Sequence, residues 1–301
     1  MADFDAYCAS LLEKARAAGW VVGTQRSIPY GRQYDLTDSA GRAALLNAYS
    51  GKKGFSHVAG GKAAAALSAD LGIQPAAQPE SAGKQTAGDP FQLGLPRAGG
   101  DESGKGDFFG PLVVAAFHLD AATAKQLAGS GIVDSKKLTD AAILKLAGLL
   151  DKTGRGHTIT LMPREYNPQY REVGNLNLLL AQTHGRCMQA LTKRLGAPGA
   201  ILIDQFAANS EPLRKAVAPA AGVKFMTRTK AEADLAVACA SVLARAAFVE
   251  GLKELGTEFG MEFPPGAGPP VIQAGRQFTR TFGREALGQV AKLHFKTREQ
   301  V

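Results

Sequence analysis

Gly99-Gly100-Asp101-Glu102-Ser103-Gly104-Lys105-Gly106-Asp107-Phe108-Phe109-Gly110-Pro111 runs directly into Leu112-Val113-Val114-Ala115-Ala116-Phe117. The second half is an apolar run of strand length. The first half places two adjacent carboxylates inside a glycine-dense turn. Glycines let a backbone approach a bulky ligand and offer N–H donors with no side chain in the way, while neighbouring acids offer hard oxygen ligands for Mg²⁺ or Mn²⁺. The combination suits a metal together with a phosphate; taken alone, it also suits a hairpin whose acids are merely solvated. Gly99 to Lys105 fits the start of a phosphate-cradling P-loop, but Gly106 stands where that loop needs Ser or Thr, and Asp101 and Glu102 would repel the phosphates. The P-loop is rejected.

Outward from this stretch, apolar strands at residues 112–117 and 200–203 alternate with helical stretches at 141–150, 176–195 and 230–248, the rhythm of an α/β layer with helices packed on a sheet. Upstream, residues 73–98 are rich in Pro, Gly, Ala and Gln and have little to bury, which reads as a linker. Ahead of it, a helix over residues 3–18, strand-like segments at 20–24, 32–36 and 43–49, and a helix near 62–71 predict a small α+β module. The expected division is 1–72, a flexible linker at 73–96, and a larger domain at 97–301.

Two further acids stand out. Asp204 follows the strand Ala200-Ile201-Leu202-Ile203, and strand ends are where α/β sheets present functional groups, although aspartates there also cap helices. Glu232, with Asp234 beside it, opens the Ala-rich helix from Leu235 to Arg245, where the helix dipole alone would explain an acid. Small residues let such a helix pack close to a sheet and carry its acid toward the strand-end carboxylates. Four converging carboxylates repel one another unless cations lie between them, so the pattern implies divalent metals. Two metals roughly 3.5–4 Å apart suit in-line cleavage of a phosphodiester.

Charge agrees with such a partner. Lys and Arg number 35 against 27 Asp and Glu, a net +8; residues 1–90 contribute only +1, so the positive field belongs to the second part of the chain. Hydrophobic residues make up 45% of 301, enough for a sizeable core and against a disordered chain. No unbroken apolar run approaches the ~18 residues of a membrane helix, and the N-terminus lacks a basic secretory start; a cytoplasmic protein without membrane association is expected. Cys8, Cys187 and Cys239 form no Cys-x-x-Cys pattern and are expected as buried thiols. The five histidines show no zinc spacing and are expected to be structural, with His184, in the helix after Asn177, the one candidate for a place near the site.

With these residues on the page, the chain resembles the type 2 ribonucleases H, and most closely the bacterial ribonuclease HIII family. The resemblance is carried by Asp101 through Leu112, Asp134-Ser135-Lys136-Lys137-Leu138, Tyr166-Asn167 with Gly174-Asn175-Leu176-Asn177, and Ile203-Asp204-Gln205-Phe206. Thr229-Lys230-Ala231-Glu232, Ala238 through Arg245 and Ala291-Lys292-Leu293-His294-Phe295-Lys296-Thr297 complete it. It implies a ribonuclease H-like mixed sheet with flanking helices, preceded by a small α+β domain like the TATA-binding protein, which helps hold the substrate. It also implies an endonuclease that cuts the RNA strand of RNA/DNA hybrids with two Mg²⁺ or Mn²⁺ ions. Nothing in the sequence requires a dimer or a protein partner, and a monomer is expected. By the same resemblance Asp101, Glu102, Asp204 and Glu232 bind the metals, with Asp234 the competitor for the fourth place. Ser103, Gly104, Lys105 and Gly106 would read the 2′-hydroxyl, the group that separates RNA from DNA, and Ser135 and Lys136 would hold phosphates. In the N-terminal module Tyr30, Arg32, Lys52, Lys53 and Phe55 are either backbone contacts or plain surface. Pro265 stands where relatives more often carry a lysine, which removes a possible phosphate contact. Two other outcomes remain open: incision at single ribonucleotides in DNA, as in ribonuclease HII, and hybrid binding without catalysis.

Overall fold

A computed structural model describes residues 4–28, 31–51, 54–61, 63–72, 91–132 and 138–301. The chain divides into two compact units, residues 1–85 and 86–301. The segment expected as a linker lies outside the described residues except for 91–96.

The N-terminal unit holds α1 (Phe4–Ala17), β1 (Val21–Ile28), β2 (Gly31–Thr37), β3 (Ala43–Gly51), β4 (Gly54–Gly60) and α2 (Ala64–Asp70). The strands form an antiparallel sheet in sequential order. Alternation decides its faces: Tyr34, Leu36, Ala44, Leu46 and Ala48 are buried in one cluster with Cys8, Leu11 and Ala15 of α1 and Leu67 of α2. Strand β4 was not anticipated. Its inward residues are Phe55, His57 and Ala59, too mixed to read as an apolar stripe, yet the Tyr7 hydroxyl lies 2.6 Å from His57 Nδ1 and the Phe55 ring packs on Phe4 and Tyr7. Phe55 and Arg32 are thus engaged within the unit, Arg32 with Asp5 at 2.5 Å; Tyr30, Lys52 and Lys53 lie outside the described residues.

The second unit is built on a five-stranded mixed sheet, ordered β7-β6-β5-β8-β9. Its strands are β5 (Arg97–Ser103), β6 (Leu112–Leu119), β7 (Gly156–Leu161), β8 (Ala200–Asp204) and β9 (Lys224–Arg228), and among its helices are α3 (Ala121–Leu127), α5 (Pro163–Val173) and α7 (Glu211–Val217). β6 pairs antiparallel with β5 and β7, while β8 runs parallel to β5 and β9. Every residue of β6 is buried because helices cover both faces. Leu112, Val114 and Ala116 face α6 (Leu176–Leu195), whereas Val113, Ala115 and Phe117 face α4 (Asp140–Lys152) and α8 (Leu235–Phe259).

The long helix α8 differs from its expected bounds at both ends. Asp234 caps it, accepting from the N–H groups of Ala236 and Val237, so the helix starts at Leu235; residues 231–233 form a separate 3-10 turn. Gly260, at φ 64, ends it with a left-handed cap. By length and composition α8 could cross a bilayer, but 72% of its most apolar window is buried inside the protein, as in a core helix. It lies directly on the sheet: a Cβ at Gly99 would fall 2.2 Å from the carbonyl carbon of Ala236, so only glycine permits the approach. A last cluster joins Phe108 and Phe109 to Phe263, α9 (Pro269–Phe282), Val290 and Ala291.

Candidate active site

Asp101 and Glu102 lie on strand β5 itself, near its end, and not in a turn as the glycine density suggested. The β5–β8 register pairs Gly100 with Ile203, which makes Asp101 and Asp204 the next step at the carboxyl ends of two adjacent parallel strands. In open α/β sheets this is where ligands are placed. Asp101 points to the α8 face, where it hydrogen-bonds Ser241, and its Oδ1 accepts the N–H of Glu102 at 2.8 Å. Burial pushes its carboxyl up to about 7, and the charges of Glu102 and Asp204 push the same way, against those hydrogen bonds.

Glu102 takes the opposite face, as strand alternation requires. There Oε2 lies 3.4 Å from His184 Nε2, and Oε1 lies 3.9 Å from Lys105 Nζ. His184 is buried on α6 and stacks on Phe206 with ring centroids 5.3 Å apart. Lys105 reaches the same loop, donating to the Phe206 carbonyl at 2.7 Å with its ammonium 5.2 Å from the Phe206 ring. His184, expected mainly as a structural residue, therefore borders the site. Its one sequence signal was its place on the helix that follows Asn175-Leu176-Asn177.

Glu232 and Asp234 separate cleanly. Asp204 Oδ1 accepts the N–H of Ala231 at 2.9 Å, pinning the 3-10 turn that carries the partly exposed Glu232 against the end of β8. Asp234 is fully buried, caps α8, and lies 2.7 Å from the Arg97 guanidinium at the start of β5. Asp234 is thus engaged by the N-terminal end of α8 and by Arg97.

The loop after β5 is held at Gly104 and Lys105 and open at Gly106. Gly104 has φ +84, and a Cβ there would meet the Pro111 carbonyl oxygen at 2.1 Å; Lys105 is tied to Phe206; Gly106 is exposed with open space around it. Next comes a turn sewn to the C-terminal segments. Asp107 Oδ1 accepts from Gly266 N–H at 2.6 Å, Phe108 N–H donates to the Gly266 carbonyl at 2.8 Å, and Gly110 N–H donates to the Val290 carbonyl at 3.0 Å. The segment containing Pro265 thus docks on the site loop through backbone groups. Tyr166 and Asn167 brace the tail: the Tyr166 hydroxyl lies 3.1 Å from His294 Nδ1, and the Asn167 amide donates to the carbonyls of Gly288 and Ala291. Ser135 and Lys136 lie outside the described residues.

As the side chains stand, no three His, Cys, Asp or Glu groups among the described residues already surround a point that could hold a metal ion. The donor set nonetheless fits a hard divalent cation. Asp101, Glu102 and Asp204 offer only carboxylate oxygens at adjacent strand ends, and the Asp101 carboxyl is raised first by its burial and further by the charges of Glu102 and Asp204.

Comparison with known proteins identifies the family. Residues 98–298 match the Ribonuclease HII family. Ribonuclease HIII of Protochlamydia amoebophila (strain UWE25) is 38% identical over 206 residues, covering 68% of each chain. The chain belongs to the ribonuclease HIII family. The crystal structure of Bst-RNase HIII in complex with Mn²⁺ is 30% identical with a TM-score of 0.65, covering 97% of this chain and 94% of that one. The likeness to ribonuclease HIII therefore takes in the N-terminal unit. The ribonuclease H2 from Pyrococcus horikoshii OT3, 22% identical with a TM-score of 0.56, shares the fold over 68% of this chain and 96% of its own. Membership of the ribonuclease HIII family makes the chain a metal-dependent nuclease of the hydrolase class with ribonuclease H activity.

Proposed function

We propose that this chain cuts the RNA strand of RNA/DNA hybrids endonucleolytically, leaving 5′-phosphate and 3′-hydroxyl ends, with Asp101, Glu102, Asp204 and Glu232 holding two Mg²⁺ or Mn²⁺ ions. The observation that carries the assignment is the register that sets Asp101 beside Asp204, with the Glu232 turn bonded to Asp204. When bound, the ions activate the attacking water and offset charge on the leaving 3′ oxygen. The protein's own groups do the rest. Ser241 and the Glu102 N–H orient the Asp101 carboxylate, and Lys105 joins the loop Ser103–Gly104–Lys105–Gly106 to the loop after β8. With Gly106 exposed and unobstructed, the backbone there is open to a sugar edge, where a 2′-hydroxyl can be read. We assign Ser135 and Lys136 to the phosphates of the same strand. Residues 1–72, a sheet with helices on one face, are the substrate-binding module of TATA-binding-protein type, joined through 73–96 to the catalytic unit at 97–301. A monomer working in the cytoplasm, with no protein partner or membrane, completes the reading.

The test is a cleavage assay with purified protein, Mg²⁺ or Mn²⁺, and two labelled duplexes: a long RNA/DNA hybrid and DNA carrying one ribonucleotide. Cutting of the hybrid with sparing of the lone ribonucleotide is expected. Efficient incision at the single ribonucleotide would replace the reading with ribonuclease HII-like specificity, and binding without cutting in either metal would remove catalysis altogether.

A further inference from the structure

Lys292 is fully buried, and the described contacts give its ammonium no carboxylate within ion-pair distance. Its Nζ instead donates to three backbone carbonyls of one turn: Asp107 at 2.8 Å, Phe109 at 3.3 Å and Gly110 at 2.7 Å. The Lys292 N–H donates to the Phe108 carbonyl at 2.8 Å, so a single residue of the tail satisfies all four carbonyls of Asp107 through Gly110. Holding a cation out of water is costly unless its donors are matched, and an apolar side chain would fill the same space without that cost. A lysine here needs a reason beyond packing.

The reason lies in what the turn supports. Asp107 N–H closes the preceding loop onto the Gly104 carbonyl at 3.3 Å, so the position of Gly106 follows that of Asp107. We propose that Lys292 is a positioning residue for substrate discrimination: by drawing the Asp107–Gly110 carbonyls together it fixes the backbone of Ser103–Gly106 in the shape that reads the ribose edge. The inference rests on the functional reading above and extends it to a residue 186 positions from Gly106 in sequence.

The charge state of Lys292 bears on the same geometry. Burial lowers its ammonium to about 7, with Asp107 acting in the opposite direction. A neutral amine has two N–H donors instead of three, so one carbonyl of the turn loses its partner as pH rises past that value. The groups facing Lys292 are Asp107, whose Oδ1 takes the Gly266 N–H, the Tyr166 ring at 5.9 Å, and His294. His294 is held down to about 4 by burial and by Lys292, and burial raises the Tyr166 hydroxyl, so neither titrates near neutrality.

The experiment measures binding of an RNA/DNA hybrid and of a DNA duplex of the same sequence, in EDTA so that nothing is cut. The wild-type preference for the hybrid tests the functional reading by itself; its absence would sink that reading and leave Lys292 nothing to position. Given that preference, Lys292→Met, of similar length and with no donor, is expected to weaken hybrid binding about tenfold, the scale of one lost hydrogen bond, while DNA binding holds. Retained preference, or equal loss on both duplexes, overturns the proposal. If Lys292→Met does not fold, wild-type titration decides: a preference that falls between pH 7 and 9 supports the proposal, and a flat one overturns it.

Discussion

Strand β5 begins at Arg97, buried with its guanidinium 2.7 Å from the buried Asp234, and carries Asp101 and Glu102 near its other end, beside the end of the strand that holds Asp204. At the first end a buried charge has a partner of opposite sign, further fixed because Asp234 also caps α8. At the second, acids neighbour acids, and the Asp101 carboxyl is lifted to about 7, first by burial and then by the charges of Glu102 and Asp204. The same strand therefore carries a pair that holds the α8 terminus in place and, on the reading proposed above, a cluster that a cation would complete. Stability resides at one end and chemistry at the other, a few residues apart.

The sharpest way to break this contrast is Arg97→Met, which leaves Asp234 buried without its partner. Removing one member of such a pair costs about 3–5 kcal/mol, so the urea midpoint should fall steeply. A change below about 1 kcal/mol would mean that Asp234 is reached by water and that the two ends of β5 are not so different. Next in size is the separation of Glu232 from Asp234. Glu232→Gln should reduce cleavage about 100- to 1,000-fold, the usual scale for losing one charge-stabilising group at a reacting centre, with thermal stability nearly unchanged. Asp234→Asn should do the reverse, lowering stability through the cap and the Arg97 pair while residual folded protein still cuts. The opposite outcomes would exchange their roles.

Much of this was legible in the sequence, and the exceptions have physical causes. The apolar run of β6 and the acids at Asp101, Glu102 and Asp204 were evident because strand burial and carboxylate chemistry are local signals. The glycines before Asp101 misled: they read as a turn, yet Gly99 is small because α8 lies on it, and Gly100 because Ile203 and His184 crowd the other face. In that stretch only Gly104 and Gly110 have positive φ. Strand β4 escaped because its inward face mixes Phe55, His57 and Ala59. The contacts of Lys292 left no sequence signal, and those of His184 only its place on the helix, for a different reason. Each acts on groups far away in the chain, Lys292 on Asp107 to Gly110 and His184 on Glu102, and no local pattern encodes such contacts. Ser135 and Lys136 stay sequence-based assignments.

The smallest predicted effect runs against intuition. Asp101→Asn removes a group the site needs, yet it should stabilise the metal-free protein. The amide keeps an oxygen to accept the Glu102 N–H and keeps contact with Ser241, but it carries no charge to repel Glu102 and Asp204. Sites arranged for chemistry commonly hold such reserves, and releasing one is worth about 0.5–2 kcal/mol. In EDTA the variant should therefore melt a few degrees above wild type, at roughly 2–4 °C per kcal/mol for a domain of this size. Mg²⁺ should reverse the order. A cation that binds only the folded state adds about 2.7 kcal/mol at 100 times its Kd, and wild type should gain this while the variant, short of one carboxylate, gains less. Thermal unfolding of both proteins with and without Mg²⁺ measures all four values. A wild type that melts above Asp101→Asn in EDTA would mean that the acids at the end of β5 do not repel one another, and the contrast between the two ends of the strand would fail.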